Sequence, residues 1–180
     1  MESLTFRLVC KSDAADLLGI WGDIDVTRYT MIHNIGSKLD CESRIERQLK
    51  WVDCDSIGPF VIIDDNALIG YCGGTRDDQN AYEIFYHISK IRWNKGLGTK
   101  IVQEILNIGF TEKNANKIIA KAVSENTGSW KVLEKNGMRR TRIETEGFEK
   151  GGEKHDLYVY EINRDAWLSS CRLVSNCVSA

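Results

Sequence analysis

Tyr82-Glu83-Ile84-Phe85-Tyr86-His87-Ile88, with Ile91-Arg92-Trp93-Asn94-Lys95-Gly96-Leu97-Gly98-Thr99-Lys100 shortly after it, is the passage that decides how this chain folds. The first run is apolar and aromatic and predicts a strand. The second is a turn that holds two glycines. Beyond it, Leu97, Ile101, Val102, Ile105, Leu106, Ile108 and Phe110 fall on one side of a helix. Strand, glycine turn and helix make a cradle for an anion. The first amides of a helix have no intrahelical acceptor, and the helix dipole places partial positive charge there. Glycine lets a phosphate approach the backbone with no side chain between. A phosphate or pyrophosphate is therefore expected on the amides of Lys95, Gly96, Leu97, Gly98 and Thr99.

Two common phosphate loops fit poorly. A dinucleotide fingerprint needs a third glycine three residues after the second, where Ile101 stands. A Walker loop needs Gly-Lys-Ser/Thr, whereas the order here is Gly98-Thr99-Lys100. The next two segments of the chain narrow the choice. Residues 117–123, Lys-Ile-Ile-Ala-Lys-Ala-Val, alternate as a strand, and residues 124–138 form a short helix with a polar start and a Gly137 stop.

These segments together resemble the GNAT acetyltransferases, which use acetyl-CoA. That family carries (Gln/Arg)-x-x-Gly-x-(Gly/Ala), then a strand, then Asn-x-x-(Ala/Ser) leading to Lys-x-Gly-(Phe/Met). The loop here is Trp93-Asn94-Lys95-Gly96-Leu97-Gly98. Trp93 departs from the broad pattern and is similar to the Trp-x-Lys-Gly version of the RimJ/RimL-like branch. Asn126-Thr127-Gly128-Ser129 and Glu134-Lys135-Asn136-Gly137-Met138 match that branch. The resemblance spans residues 4–162. It implies one α/β domain over residues 1–168, with a mixed, twisted sheet of about seven strands and helices on both faces. Residues 169–180 are then a tail or the end of a last helix.

Bulk properties agree. The chain has 180 residues, is 42% hydrophobic and 28% charged, and carries a net charge of −2. Those values suit one globular domain and give no basic stripe for nucleic acid. No apolar run approaches the about 20 residues of a membrane span, and residues 1–10 lack the pattern of a signal peptide. The six cysteines form no Cys-x-x-Cys pair, and His33, His87 and His155 are far apart. No metal site is expected, and the thiols suit a cytoplasmic protein.

Earlier in the chain, residues 4–9 predict the first strand. Ser12 is a candidate cap for a helix over 13–21, a second helical patch is expected over 25–31, and residues 41–53 predict a further helix. Asp23, Asp25, Asp53 and Asp55 are placed to attract an amine or, interleaved with Arg28, Arg44, Arg47 and Lys50, simply to face solvent. Trp21, Tyr29 and Trp51 either wall a substrate pocket or pack the core. Residues 59–63 and 67–75 flank Asp64-Asp65-Asn66 as a hairpin. Residues 139–146 and 154–162 predict a second hairpin around Lys150-Gly151-Gly152, and a last helix is expected to start at Asn163 or Asp165 and to run through Trp167 to Leu173.

Acetyl transfer from a thioester to an amine requires a held cofactor, a polarised carbonyl and moved protons. The resemblance implies that the strand over 82–88 splays from the next one, so that the pantetheine arm pairs with backbone near Tyr86, His87 and Ile88. Arg92 and Lys95 either add charge toward the phosphates or are solvated. Asn126 matches the position that bonds the pantetheine and can also cap its helix. The tyrosine acid common in the family, seven residues after that Asn, is replaced by Leu133. Ser129 is then the candidate proton donor to the leaving thiolate. Glu83 is the first candidate base, with Glu146 and His87 behind it. The implied acceptor is a primary amine of a protein N-terminus, an amino acid, a polyamine or an aminoglycoside-like molecule. The rival is a non-catalytic acyl-CoA sensor on the same fold. A homodimer through the last hairpin and helix is the family-level expectation.

Overall fold

A computed structural model describes residues 4–33, 35–50, 52, 55–77 and 79–178, with side chains through Cys171. The chain runs β1 (Thr5–Leu8), α1 (Ala14–Trp21), α2 (Ile24–Thr27), α3 (Lys38–Leu49), β2 (Ile57–Asp64), β3 (Ala67–Arg76), β4 (Ala81–Ile88), α4 (Leu97–Thr111), β5 (Lys117–Val123), α5 (Thr127–Lys135), β6 (Arg139–Lys150), β7 (Glu153–Asn163) and α6 (Arg164–Val178). These seven strands join one sheet in the order β1-β2-β3-β4-β5-β7-β6. Among the described residues only the β4–β5 pair is parallel. Its crossover is α4, as a parallel pair requires.

Alternation along the strands builds a core on each face. Ile62 and Cys72 pack with Ile101, Ile105 and Phe110 of α4, while the adjacent Val61 and Tyr71 pack with Leu17, Trp21 and Ile45 of α1 and α3. The β2–β3 turn closes through Asp65 and Asn66, both with positive φ (50° and 59°), the backbone twist that a two-residue hairpin needs.

Several boundaries differ from the sequence expectation. Ser12 does not cap α1. Asp13 governs that entry, its carboxylate accepting from the Cys10 amide (2.8 Å) and from Arg7 (2.6 and 2.8 Å). Helix α2 stops at Thr27, and in the chain beyond it the carbonyls of Thr30 and Ile32 accept from Lys150. Helix α3 starts at Lys38, because the Ser37 hydroxyl caps it by accepting from Asp40 N (3.2 Å). Its expected extension to 53 falls partly outside the described residues, as do Trp51 and Asp53. Helix α6 continues to Val178, past the expected stop at 173.

Candidate active site

The geometry of the site is set by where the parallel ladder ends. β4 and β5 pair from Ala81–Lys117 to Ile84–Ala120 and no further. On its other side β4 stays paired with β3 up to Ile88, and Ser89 N donates to Ile69 O (2.8 Å). By strand alternation the backbone groups of Tyr86 and Ile88 then face the opening between β4 and β5. The side chains of one strand point to opposite faces, yet the splay lets both sets line one cavity. It has a volume of about 450 Å³ and is bordered by Glu83, Tyr86 and His87 of β4, Lys121 of β5, Asn126 and Ser129. That size suits a small-molecule site.

The anion cradle lies at the start of α4. Gly96 is its N-cap at φ 74°, a left-handed conformation that glycine adopts without a Cβ penalty, and a Cβ there would meet open space. Among the described residues no side chain caps the helix, and the first backbone bond back into the loop is Lys100 N to Gly96 O (3.4 Å). The amides of Leu97, Gly98 and Thr99 therefore remain for a ligand. Gly98 has a different reason to be glycine: a Cβ would lie 3.1 Å from Val132 Cγ2, so its bareness lets α4 and α5 pack. The Trp93 indole donates to Ile88 O (2.9 Å) and ties the loop to β4. Asn94 takes a positive φ of 60°. Arg92 does not reach into solvent for a phosphate; it pairs with Asp64 at 3.1 Å. Lys95 is exposed, and Lys100, which the motif did not single out, is exposed beside it.

Within the cavity two hydroxyls meet. Tyr86 Oη lies 3.0 Å from Ser129 Oγ and 3.2 Å from Ser129 O. Burial pushes the Tyr86 phenol up to about 12, so it stays protonated. Asn126 Oδ1 accepts from Ser129 N (3.3 Å), so the cap of α5 also fixes the serine. The sequence pointed to Tyr86 for its backbone alone; the hydroxyl was missed, since only the turn of α5 toward β4 brings it to Ser129. Glu83 is half exposed and 3.7 Å from Lys121. His87 is 8% exposed, and its Nδ1 has no partner among the described residues. Burial first, then the charges of Arg44 and Lys150, depress its pKa to about 3. A neutral imidazole this weak does not serve as the base for an ammonium.

The acceptor side is closed by the chain after α2. Tyr29, Thr30, Met31 and Ile32 border the cavity, and Lys150 Nζ donates to the carbonyls of Thr27 (2.6 Å), Thr30 (3.1 Å) and Ile32 (2.7 Å). Trp21 does not wall the pocket. It is buried in the second core with its ring edge-on to Tyr71 at 5.0 Å. Glu146 also stands outside the lining, paired with Lys154 at 2.8 Å at an irregularity of β6 where φ is 49°. The acidic set is spent structurally: Asp23 caps α2, Asp25 pairs with Lys90, and Asp55 pairs with Arg76 and Lys113. Among the described residues no group of three or more His, Cys, Asp or Glu side chains is placed to hold a metal ion, and no helix is long and apolar enough to cross a membrane.

Comparison with known proteins agrees with this geometry. Residues 3–139 match the acetyltransferase (GNAT) domain family. The uncharacterized N-acetyltransferase p20 of Bacillus licheniformis is 28% identical over 165 residues, which is 89% of this chain and 93% of that protein. The crystal structure of a GNAT-family acetyltransferase from Bacillus anthracis superposes with a TM-score of 0.80 at 27% identity, covering 91% of this chain and 96% of the other. RimJ of Mycobacterium smegmatis, in complex with CoA-disulfide, superposes with a TM-score of 0.81 at 20% identity, covering 90% and 82%. The chain belongs to the GNAT acetyltransferases, in accord with its RimJ/RimL-like motifs, and is an acetyl-CoA-dependent N-acetyltransferase. The open cradle at Gly96 and the unpaired edge of β4 fit the phosphates and the extended arm of that cosubstrate.

Proposed function

We propose that this enzyme acetylates a primary amine that enters beside Glu83 and Tyr29, with acetyl-CoA reaching the cavity from the α4 cradle. The observation that carries the reading is the Tyr86–Ser129 hydroxyl pair at 3.0 Å, set where β4 and β5 part. The backbone amide of Tyr86 or Ile88 polarises the thioester carbonyl, as an oxyanion donor does. Ser129 donates to the sulfur as negative charge develops there, and Tyr86 orients the serine. Glu83, the one carboxylate among the described lining residues, takes the ammonium proton directly or through water. A pure acyl-CoA sensor has no use for paired hydroxyls at this point.

The test is CoA release, read with a thiol reagent, from acetyl-CoA and a panel of amines. Ser129→Ala and Tyr86→Phe are each expected to lower kcat by about 100-fold with little change in acetyl-CoA affinity, the size general acid catalysis typically supplies. The double variant is expected to be no slower than the worse single one, because the two hydroxyls act as a unit. Full kcat in both single variants would remove the pair from the chemistry.

A further inference from the structure

Among the described residues, Arg44 is the one charge at the cavity with nothing to answer it. It lies on α3, half-buried, and borders the cavity with Gln48, Glu83, His87 and Lys121. Its guanidinium stacks on the buried Trp21 ring at 5.2 Å, a flat support that holds the group in place but supplies no counter-ion. Arg44 Nε is buried without a hydrogen-bond partner, and among the described residues no carboxylate is within ion-pair distance of it. Glu83, the only acid on the described lining, is answered by Lys121 instead. Gln48, one turn along α3, is already engaged: its Oε1 accepts from the Tyr71 hydroxyl at 2.5 Å.

A second buried group stands at the same wall. His87 is more than nine-tenths buried, borders the cavity, and its Nδ1 has no partner among the described residues. Burial, with positive charge from Arg44 and Lys150 adding to it, keeps that ring neutral. An arginine on a cavity wall that it shares with a neutral ring, and with no anion among the described residues to pair it, is a receptor for a carboxylate.

We infer that the acceptor carries a carboxylate near its reacting amine, and that Arg44 binds it. This rests on the acetyltransferase reading of the same cavity and narrows its substrate class to amino acids or peptides with an acidic residue at the N-terminus. A polyamine, cationic along its length, would meet an uncompensated guanidinium here.

The experiment measures kcat/KM for acetyl transfer to matched pairs: free amino acids against their amides, and short peptides beginning with Asp or Glu against the Asn or Gln versions. The wild-type enzyme is expected to prefer the carboxylate member of at least one pair by about tenfold to 100-fold, the range of a charge-assisted hydrogen bond lost or kept. The pair that shows it separates a free amino acid from an acidic peptide. In Arg44→Gln the ratio is expected to fall to about one through KM, and Arg44→Lys is expected to restore part of it, since the charge returns without the planar fork. Acetyl-CoA affinity serves as the control for folding. Equal use of both members in every pair, or preferred transfer to polyamines, would overturn this inference and leave the transferase reading standing. No transfer to any amine would overturn both.

Discussion

Acid should destabilise this protein through His87 well before its carboxylates titrate. The ring is 8% exposed and stacks with Tyr71 (6.2 Å) and Phe85 (6.1 Å). Burial, helped by the nearby positive charges of Arg44 and Lys150, lowers its pKa from 6.5 to about 3. Between those values the unfolded chain binds a proton that the folded chain refuses. Stability is then fully present above the unfolded pKa and falls as pH drops toward the folded one. From about pH 7.5 to about pH 5, a shift of this size removes about 2 kcal/mol. Urea unfolding at several pH values in that window, for the wild type and for His87→Gln, measures it. The glutamine costs some stacking at every pH, so the diagnostic is the slope: the wild type is expected to lose about 2 kcal/mol more than the variant on acidification. Asp13 is also held below its usual value, first by its bond to Arg7, so its contribution is lost only at lower pH and is common to both proteins. Parallel pH dependence in the two proteins would refute the argument.

Two further substitutions probe the frame of the site. Lys150→Met takes the shared donor from the carbonyls of Thr27, Thr30 and Ile32 and is expected to cost about 2–3 kcal/mol in urea unfolding, as for a lost bond to a charged group. It should also raise the acceptor KM more than it weakens acetyl-CoA binding, since Tyr29 to Ile32 border the cavity; an unchanged KM would show that the lysine does not position that wall. The loop glycines are expected to fail for different reasons. Gly96→Ala carries about 1–2 kcal/mol of left-handed backbone strain with no clash. Gly98→Val overpacks against Val132 and costs about 1–3 kcal/mol. Thermal melts of both variants check this, and an undiminished melting temperature in either one refutes its assignment.

The sequence alone determined the strand–loop–helix core of this protein because the relevant signals are local. The apolar stripe of α4, the Asp65–Asn66 turn and the alternation in residues 117–123 each sit within a few residues of the structure they specify. The motif from Trp93 to Gly98 and the Asn126 to Met138 segment carried the cosubstrate class for the same reason. The substrate side was decided by tertiary structure. Trp21 is indistinguishable by sequence from a pocket wall, and only the packing of α1 against β3 turns it into the support beneath Arg44. Arg44 looked like one of several interleaved surface charges until α3 placed it at a cavity with no acid to match. Tyr86 meets Ser129 across 43 residues, and Lys150 reaches Thr27 across 123. Contacts at such separations are made only when whole elements pack, and the Tyr86–Ser129 pair borders the opening left where the β4–β5 ladder ends at Ile84.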